Sequence, residues 1–279
     1  MDLNNDDWGY RNMDLNLSGK VAVICGGSTG IGEACAQIFA REGCKVAVCS
    51  RNKEKLKGFQ ERFVAQGYTA LIRQCNCTDQ EQVEAFAAEV YEQFGRIDIW
   101  INSAGGNRHM PLCDVTQDDY KYILDMNFSS TLYGINAASK YMKQTGGGSI
   151  VNISSASAET PAVYRLLYGA FKAAVSKLTQ GVAAELAPFH IRVNAVEPGI
   201  INTILSRDAI VNHTESTMKK IALKRAGEPE EVAAPIVFLA SDLASYITGA
   251  SLAINGGKGL VGDPDLAWQG FHPTSMPPQ

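Results

Sequence analysis

Residues 21–32 read VAVICGGSTGIG, and their order decides the fold. Five apolar residues in a row, without polar alternation, are the pattern of a strand covered on both faces. A glycine-rich turn follows at once, and Ile31, Ala34, Cys35, Ile38 and Phe39 then repeat at the spacing of one buried helix face. Glycine lets such a turn close tightly and lets a ligand approach the backbone with no Cβ in the way. The helix that opens there presents N–H groups unsatisfied by any preceding turn, a seat for a pyrophosphate. Strand, glycine turn and helix in this order predict the first unit of a dinucleotide-binding α/β sheet. Gly26, Gly30 and Gly32 are spaced differently from the common G-x-G-x-x-G fingerprint, which points to a related but distinct group.

The same alternation runs on along the chain. Strand-like runs fall at 45–50, 69–75, 97–105, 149–155, 191–199 and 250–257, with helical stretches between them. That order predicts a single Rossmann-type doubly wound α/β domain, a seven-stranded parallel sheet with helices on both faces. No low-complexity linker and no internal repeat breaks it, so residues 18–260 read as one domain. Residues 1–17 read as a polar arm, and residues 261–279 as a proline-containing tail whose Trp268 and Phe271 are expected to pack on this subunit or a neighbour. Residues 200–225 match neither period and are expected to form a mobile loop or short helices.

Composition narrows the class. The 279 residues are 46% hydrophobic and 19% charged, with a net charge of -4. Nothing there marks a basic surface for nucleic acid or lipid. No apolar run approaches the roughly 18 residues that span a bilayer, and the first residues lack the apolar core of a secretory signal. A cytoplasmic protein is expected. Seven cysteines, an odd number lying mostly in apolar runs, read as free thiols. Cys75 and Cys77 have no second Cys/His pair at finger-like spacing, so they read as packing and no metal site is expected.

A second stretch, SSASAETPAVYRLLYGAFK (154–172), carries chemistry. Tyr168 and Lys172 are four apart and share one helix face. Tyr168 is the only tyrosine in the chain with a lysine four residues later. A free phenol titrates near 10 and is a poor base at neutral pH; an adjacent ammonium is expected to lower it. Ser155 ends the preceding strand, at the sheet edge where open α/β folds place ligands. Period-2 alternation turns its neighbour Ser154 to the other face.

With Gly26, Gly30, Gly32, the NSAG run at 102–105, Ser155, YGAFK at 168–172 and Pro198-Gly199 in register, the chain resembles the short-chain dehydrogenases/reductases over residues 18–257. The resemblance implies a carbonyl–alcohol oxidoreductase in which Tyr168 moves the substrate proton and Ser155 hydrogen-bonds the carbonyl oxygen. Lys172 would grip the nicotinamide ribose and tune Tyr168, and Asn127 would help hold the lysine through water or, alternatively, act as a helix N-cap. Gly26, Ser28, Thr29, Gly30, Ile31 and Gly32 would take the pyrophosphate. Asn76 and Cys77 would meet the adenine, while Asn102, Ala104 and Gly105, in the run that ends the fourth strand, would stabilise the sheet edge and line the cofactor. Pro198, Gly199, Ile201 and Thr203 would meet the nicotinamide end. Two positions depart from the family: Cys25 replaces the usual Thr before the first glycine, and Asn76 replaces an Asp.

The end of the second strand selects the cofactor. An acid there takes the ribose hydroxyls of NAD, whereas an arginine accommodates the extra phosphate of NADP. Here Ser50, Arg51 and Asn52 stand without an acid, which favours NADP(H). Substrate contacts are expected from 106–110, 159–167 and 200–225, and Arg108, Tyr164 and Arg165 hint at an anionic or hydroxylated compound. His109 reads as a loop or rim residue. A 3-oxoacyl-thioester reductase shares all these motifs and is the alternative activity. An enoyl reductase is disfavoured by the short Tyr–Lys interval, and a non-catalytic NADP-binding regulator by the presence of all three catalytic residue types. The resemblance also implies a homo-oligomer, a tetramer or a dimer, formed through helices near 127–144 and 168–187.

Overall fold

One strand feeds two cores. In β1 (Val21–Cys25), Ala22 and Ile24 pack on one side of the sheet while Val21, Val23 and Cys25 pack on the other. Period-2 alternation within an unbroken apolar run is what burial on both faces requires. The computed structural model describes residues 14–260; residues 1–13 of the expected arm and the whole expected tail, with Trp268 and Phe271, lie outside them. Leu15 and Leu17, at the end of that arm, pack against the first core.

The described residues form a seven-stranded sheet in the order β3-β2-β1-β4-β5-β6-β7, every neighbouring pair parallel. The strands after β1 are β2 (Lys45–Ser50), β3 (Ala70–Gln74), β4 (Ile99–Asn102), β5 (Gly148–Ile153), β6 (Ile191–Pro198) and β7 (Ser251–Ile254). On one face α1 (Gly30–Arg41) and α2 (Lys53–Ala65) supply Phe39, Phe59 and Phe63. Each of these rings is at most 1% exposed, and burying one contributes roughly 1.5–3 kcal/mol. The opposite face is covered by α3 (Gln80–Phe94), which follows β3 and supplies Val83 and Phe86. After β4, α4 (Gln117–Leu124) leads through a π-type turn at Asp125–Ser129 into α5 (Ser130–Thr145). Next comes α6 (Leu166–Leu186), before β6. Residues 200–225 fold into short pieces, among them α7 (Arg207–Val211) and α8 (Thr214–Met218). Finally α9 (Pro229–Ala240) returns to the first face with Val232 and Ile236.

A buried polar chain locks the middle of the sheet. Trp100 Nε1 donates to Asn102 Oδ1 (2.9 Å), Asn102 Nδ2 to Asn152 Oδ1 (2.9 Å), and Asn152 Nδ2 to Thr179 Oγ1 (2.9 Å). Each side chain is satisfied by the next, so burial carries no orphan penalty and β4, β5 and α6 are fixed in register. Strand order reverses between β1 and β4, and the crevice that such a reversal opens at the carboxyl ends of the strands is where the site residues gather.

Candidate active site

That crevice has a volume of about 1570 Å³. Its floor at one end is the turn after β1. Gly26 sits at φ +81° with room for no side chain, since a Cβ there would lie 2.7 Å from the Ala104 nitrogen. The Gly26 and Gly27 N–H groups donate to the Cys49 carbonyl at 2.8 and 3.2 Å, which pins the turn to β2. Thr29 is extended at the N-terminus of α1 and makes no side-chain cap, whereas Asn52, Asp79 and Thr116 cap α2, α3 and α4. Ser28, Thr29, Gly30 and Ile31 therefore surround uncapped helix N–H groups that face the crevice. Gly32 does not line it. Its hydrogen in place of a side chain lets α1 close on the turn, where a Cβ would meet the Gly26 carbonyl oxygen.

Arg51, Asn52, Asn76 and Cys77 line the end beyond β2. Asn52 Oδ1 is occupied by the Lys55 N–H (2.8 Å) and Asn76 Oδ1 by the Thr78 hydroxyl (3.0 Å). Arg51 Nη1 lies 3.4 Å from Met126 Sδ, and among the described residues no carboxylate forms an ion pair with it. Ala104, Gly105, Pro198, Gly199, Ile201 and Thr203 line the middle, and the Thr203 methyl lies 3.1 Å from where a Cβ on Gly30 would be. Asn102 is not among them: it is 3% exposed and spends its side chain on Trp100 and Asn152.

Ser155, Tyr168, Lys172 and Asn127 come together at the other end. Lys172 is 3% exposed, and its Nζ donates to the Ile153 carbonyl (2.7 Å) while lying 5.7 Å from the Tyr168 ring centroid. Asn127 is not an N-cap; it sits inside the π-type turn, donating through Nδ2 to the carbonyls of Gly106 (2.7 Å) and Ile123 (2.8 Å). A Cβ on Gly105 would lie 3.4 Å from Asn127 Oδ1 and 3.8 Å from Lys172 Nζ, so the two polar heads flank one glycine. The Ser154 hydroxyl turns away, as alternation requires, donating to the Lys172 carbonyl, and the Ser176 hydroxyl lies 2.8 Å from both Ser154 Oγ and the buried Glu197, with one proton to give to either.

The expected lowering of the Tyr168 pKa is absent from the cofactor-free chain. Burial pushes the phenol above its ordinary value, and the Ser155 hydroxyl and the Arg165 charge pull it only part of the way back. The physical reason is that Lys172 directs its ammonium at Ile153 and is itself penalised, burial bringing it down to about 8.

A family profile described as "Enoyl-(Acyl carrier protein) reductase" matches residues 26–258. The 3-oxoacyl-[acyl-carrier-protein] reductase FabG of Thermotoga maritima is 36% identical over 245 residues, 87% of this chain and 99% of that protein. Among solved structures, a short-chain type dehydrogenase/reductase from Mycobacterium marinum superposes with a TM-score of 0.85 at 34% identity, covering 89% of this chain and 98% of that one. The chain belongs to the short-chain dehydrogenase/reductase family. A 7α-hydroxysteroid dehydrogenase of the same fold, solved with NADH and 7-oxo glycochenodeoxycholic acid, gives a TM-score of 0.83 at 31% identity, with coverages of 88% and 96%.

Within this family member, several contributors were hidden from the sequence. Lys55, one turn into α2, lines the crevice beside Arg51 and was missed because nothing marks it among neighbouring surface lysines. The Asn107 Oδ1 atom is buried in the crevice wall without a hydrogen-bond partner. Arg108, expected to meet substrate, is instead held by Asp119 (2.5 Å) over the Tyr122 ring (4.3 Å) and does not line the crevice. The Thr116 hydroxyl and that guanidinium hold the Asp119 carboxyl down to about 2. Tyr164 and His109 stand exposed outside the crevice, whereas Arg165 lines it. Cys25, the departure before Gly26, meets Cys49 Sγ at 3.7 Å, and Cys49 meets Cys77 Sγ at 3.9 Å, so packed thiols replace the missing hydroxyl under the turn. No helix among the described residues is long and apolar enough to cross a membrane.

Proposed function

We propose that this chain is an NADP(H)-dependent oxidoreductase that interconverts a secondary alcohol and a ketone. The single observation that carries the reading is the buried pairing of Tyr168 and Lys172 on one turn of α6, beside Ser155, in the same crevice as the uncapped glycine turn. The residues present fit a nicotinamide dinucleotide. The turn leaves no room for a side chain at Gly26 and holds Gly30 at φ +58°, the α1 N–H groups at its end carry no side-chain cap, and the volume exceeds the roughly 300–1,000 Å³ of ordinary small-ligand pockets. When bound, the cofactor supplies or takes the hydride, and the protein supplies position and electrostatics.

In the reducing direction the Ser155 hydroxyl donates to the carbonyl oxygen, and Tyr168 passes it a proton as charge develops there. A phenol held above its ordinary pKa is fully protonated at neutral pH, the state that a proton donor needs. Lys172 is largely charged at neutral pH and re-supplies the local positive field. Asn127 holds the Gly105–Gly106 backbone against that ammonium. Asn107 offers a bound molecule a ready acceptor.

Arg51, with Lys55 and the small hydroxyl of Ser50, supports NADP(H) over NAD(H). Charge-assisted hydrogen bonds contribute about 1.5–3 kcal/mol each, so Arg51→Ala should lower kcat/KM for NADPH roughly 10- to 100-fold and leave NADH nearly unchanged. Equal kcat/KM values for the two cofactors in the wild-type enzyme would sink the preference. A second reading, a 3-oxoacyl-thioester reductase, is favoured by the Thermotoga maritima relative. It predicts that thioesters outrun free ketones in the same assay. The exposed small residues of α6, Ala170, Gly181 and Ala184, suit close approach of a second copy, and a homo-oligomer, dimer or tetramer, is part of the proposal. Seven free thiols fit a reducing, cytoplasmic setting.

A further inference from the structure

The chain carries a net charge of -4, yet its crevice is basic. Among the described residues, seven lining side chains are Lys or Arg and only two, Glu33 and Glu230, are acidic. Glu33 is already neutralised by a bidentate pair with Arg62. Arg51 and Lys55 belong to the adenosine end, and Lys172 to the catalytic pair. Of the remaining four, Arg207 is exposed at the start of α7, and Arg165, Lys220 and Lys258 have no task in the reaction.

These three converge from separate parts of the chain. Arg165 stands three residues before Tyr168, at the start of α6. Lys258 follows β7, and its segment is wedged in place: a Cβ on Gly259 would lie 2.7 Å from Thr160 Oγ1, one on Gly257 would lie 2.7 Å from Ala222 Cβ, and the Leu223 N–H donates to the Gly256 carbonyl at 3.0 Å. The loop before α6, the segment containing Lys220 and the end of the sheet therefore meet in the wall of the crevice that Tyr168 also lines. Burial and the charges of Lys220 and Arg165 hold the Lys258 ammonium below its ordinary pKa. Neither Lys220 nor Lys258 forms an ion pair among the described residues. The like charges of Lys220 and Lys258, brought together in a partly dry site, destabilise each other until an anion arrives. Around them the wall is apolar, with Val163, Ile204, Leu205 and Val211 between 53% and 77% exposed inside the mouth.

We propose that Arg165, Lys220 and Lys258 form an anion-binding subsite at the substrate end, so that the carbonyl compound reduced here is an organic anion with an extended apolar body. The inference rests on the oxidoreductase reading and narrows its substrate class. The test measures kcat/KM with NADPH and with NADH for matched pairs: 7-oxo glycochenodeoxycholic acid with its methyl ester, and a medium-chain 4-oxo carboxylic acid with its methyl ester. At low ionic strength the acid should be preferred at least about tenfold in the pair that is turned over. That preference should shrink as added salt shortens the screening length to about 10 Å or less. It should fall toward unity in Lys220→Gln/Lys258→Gln and invert in Lys258→Glu, with the circular dichroism of each variant unchanged. Preference for the esters, or an acid preference that survives both variants, overturns the subsite and leaves the oxidoreductase reading standing. Refusal of every compound with both cofactors, by a protein that still binds NADPH, defeats that reading and the subsite together.

Discussion

Tyr168→Phe should bind NADPH as tightly as the wild type and reduce carbonyls roughly 10²- to 10⁴-fold more slowly, the range that general acid–base groups contribute. The substitution deletes one oxygen and nothing else. The ring stays in a site where only 9% of the residue is exposed, so the packing of α6 against the short turn at Ala156–Ala158 survives. Lys172 keeps its bond to the Ile153 carbonyl, and the glycine turn at the far end of the crevice is untouched. Only the proton donor is lost, because the Ser155 hydroxyl can polarise a carbonyl but has no low-cost proton to give. Fluorescence titration with NADPH separates binding from single-turnover reduction. Near-normal turnover in this variant would refute the assignment.

Lys172→Met should leave the fold intact and lower turnover at least about 10²-fold, the low end of the range for a group acting on proton transfer. Two stability effects nearly cancel. Burial brings Lys172 from its usual value down to about 8, a penalty of roughly 3 kcal/mol that an apolar side chain of similar length removes. Against this, the Ile153 carbonyl loses its donor, which costs about 1–3 kcal/mol. The melting temperature should therefore move by only a few degrees. The pH profile gives the sharper readout. In the cofactor-free protein Lys172 is charged below about 8 and neutral above it, and kcat/KM for NADPH reports groups of the free enzyme. That parameter should be level at neutral pH and fall as pH rises through about 8. Tyr168, pushed upward by burial, keeps its proton across the same window and contributes no limb there. In Lys172→Met the falling limb should vanish; a limb that persists would assign it elsewhere.

The fold was legible because the inner strands β1, β2, β4, β5 and β6 bury both faces, and that demand writes largely apolar runs into the sequence, while the edge strands β3 and β7 stay partly exposed. The ends were read a few residues long. The run at 97–105 yields only Ile99–Asn102 as strand, since Ser103 and beyond turn to line the crevice. That Ser155, Tyr168 and Lys172 would lie together was legible because a helix turn and a strand end are local patterns. What failed to show depends on neighbours distant in sequence or on burial. Asn102 was expected at the cofactor, but Asn152, fifty residues away, claims its side chain. Arg108 was expected at the substrate, but Asp119 reaches it across a loop. The lysine alone does not lower Tyr168, because spacing reveals the ammonium and not the desolvation that opposes it; the lowering was expected with the positive nicotinamide ring assisting.

The proposed reaction needs Tyr168 and Lys172 to stand beside the hydride-carrying ring of a bound dinucleotide. A crystal structure of the protein with NADPH would show whether they do. The nicotinamide carboxamide should lie near Ile201 and Thr203, the Lys172 ammonium on the adjoining ribose hydroxyls, and the Tyr168 oxygen facing open space over the ring. A nicotinamide lodged elsewhere, with the Lys172 nitrogen still bound to Ile153 alone and no contact to the ribose, would contradict it.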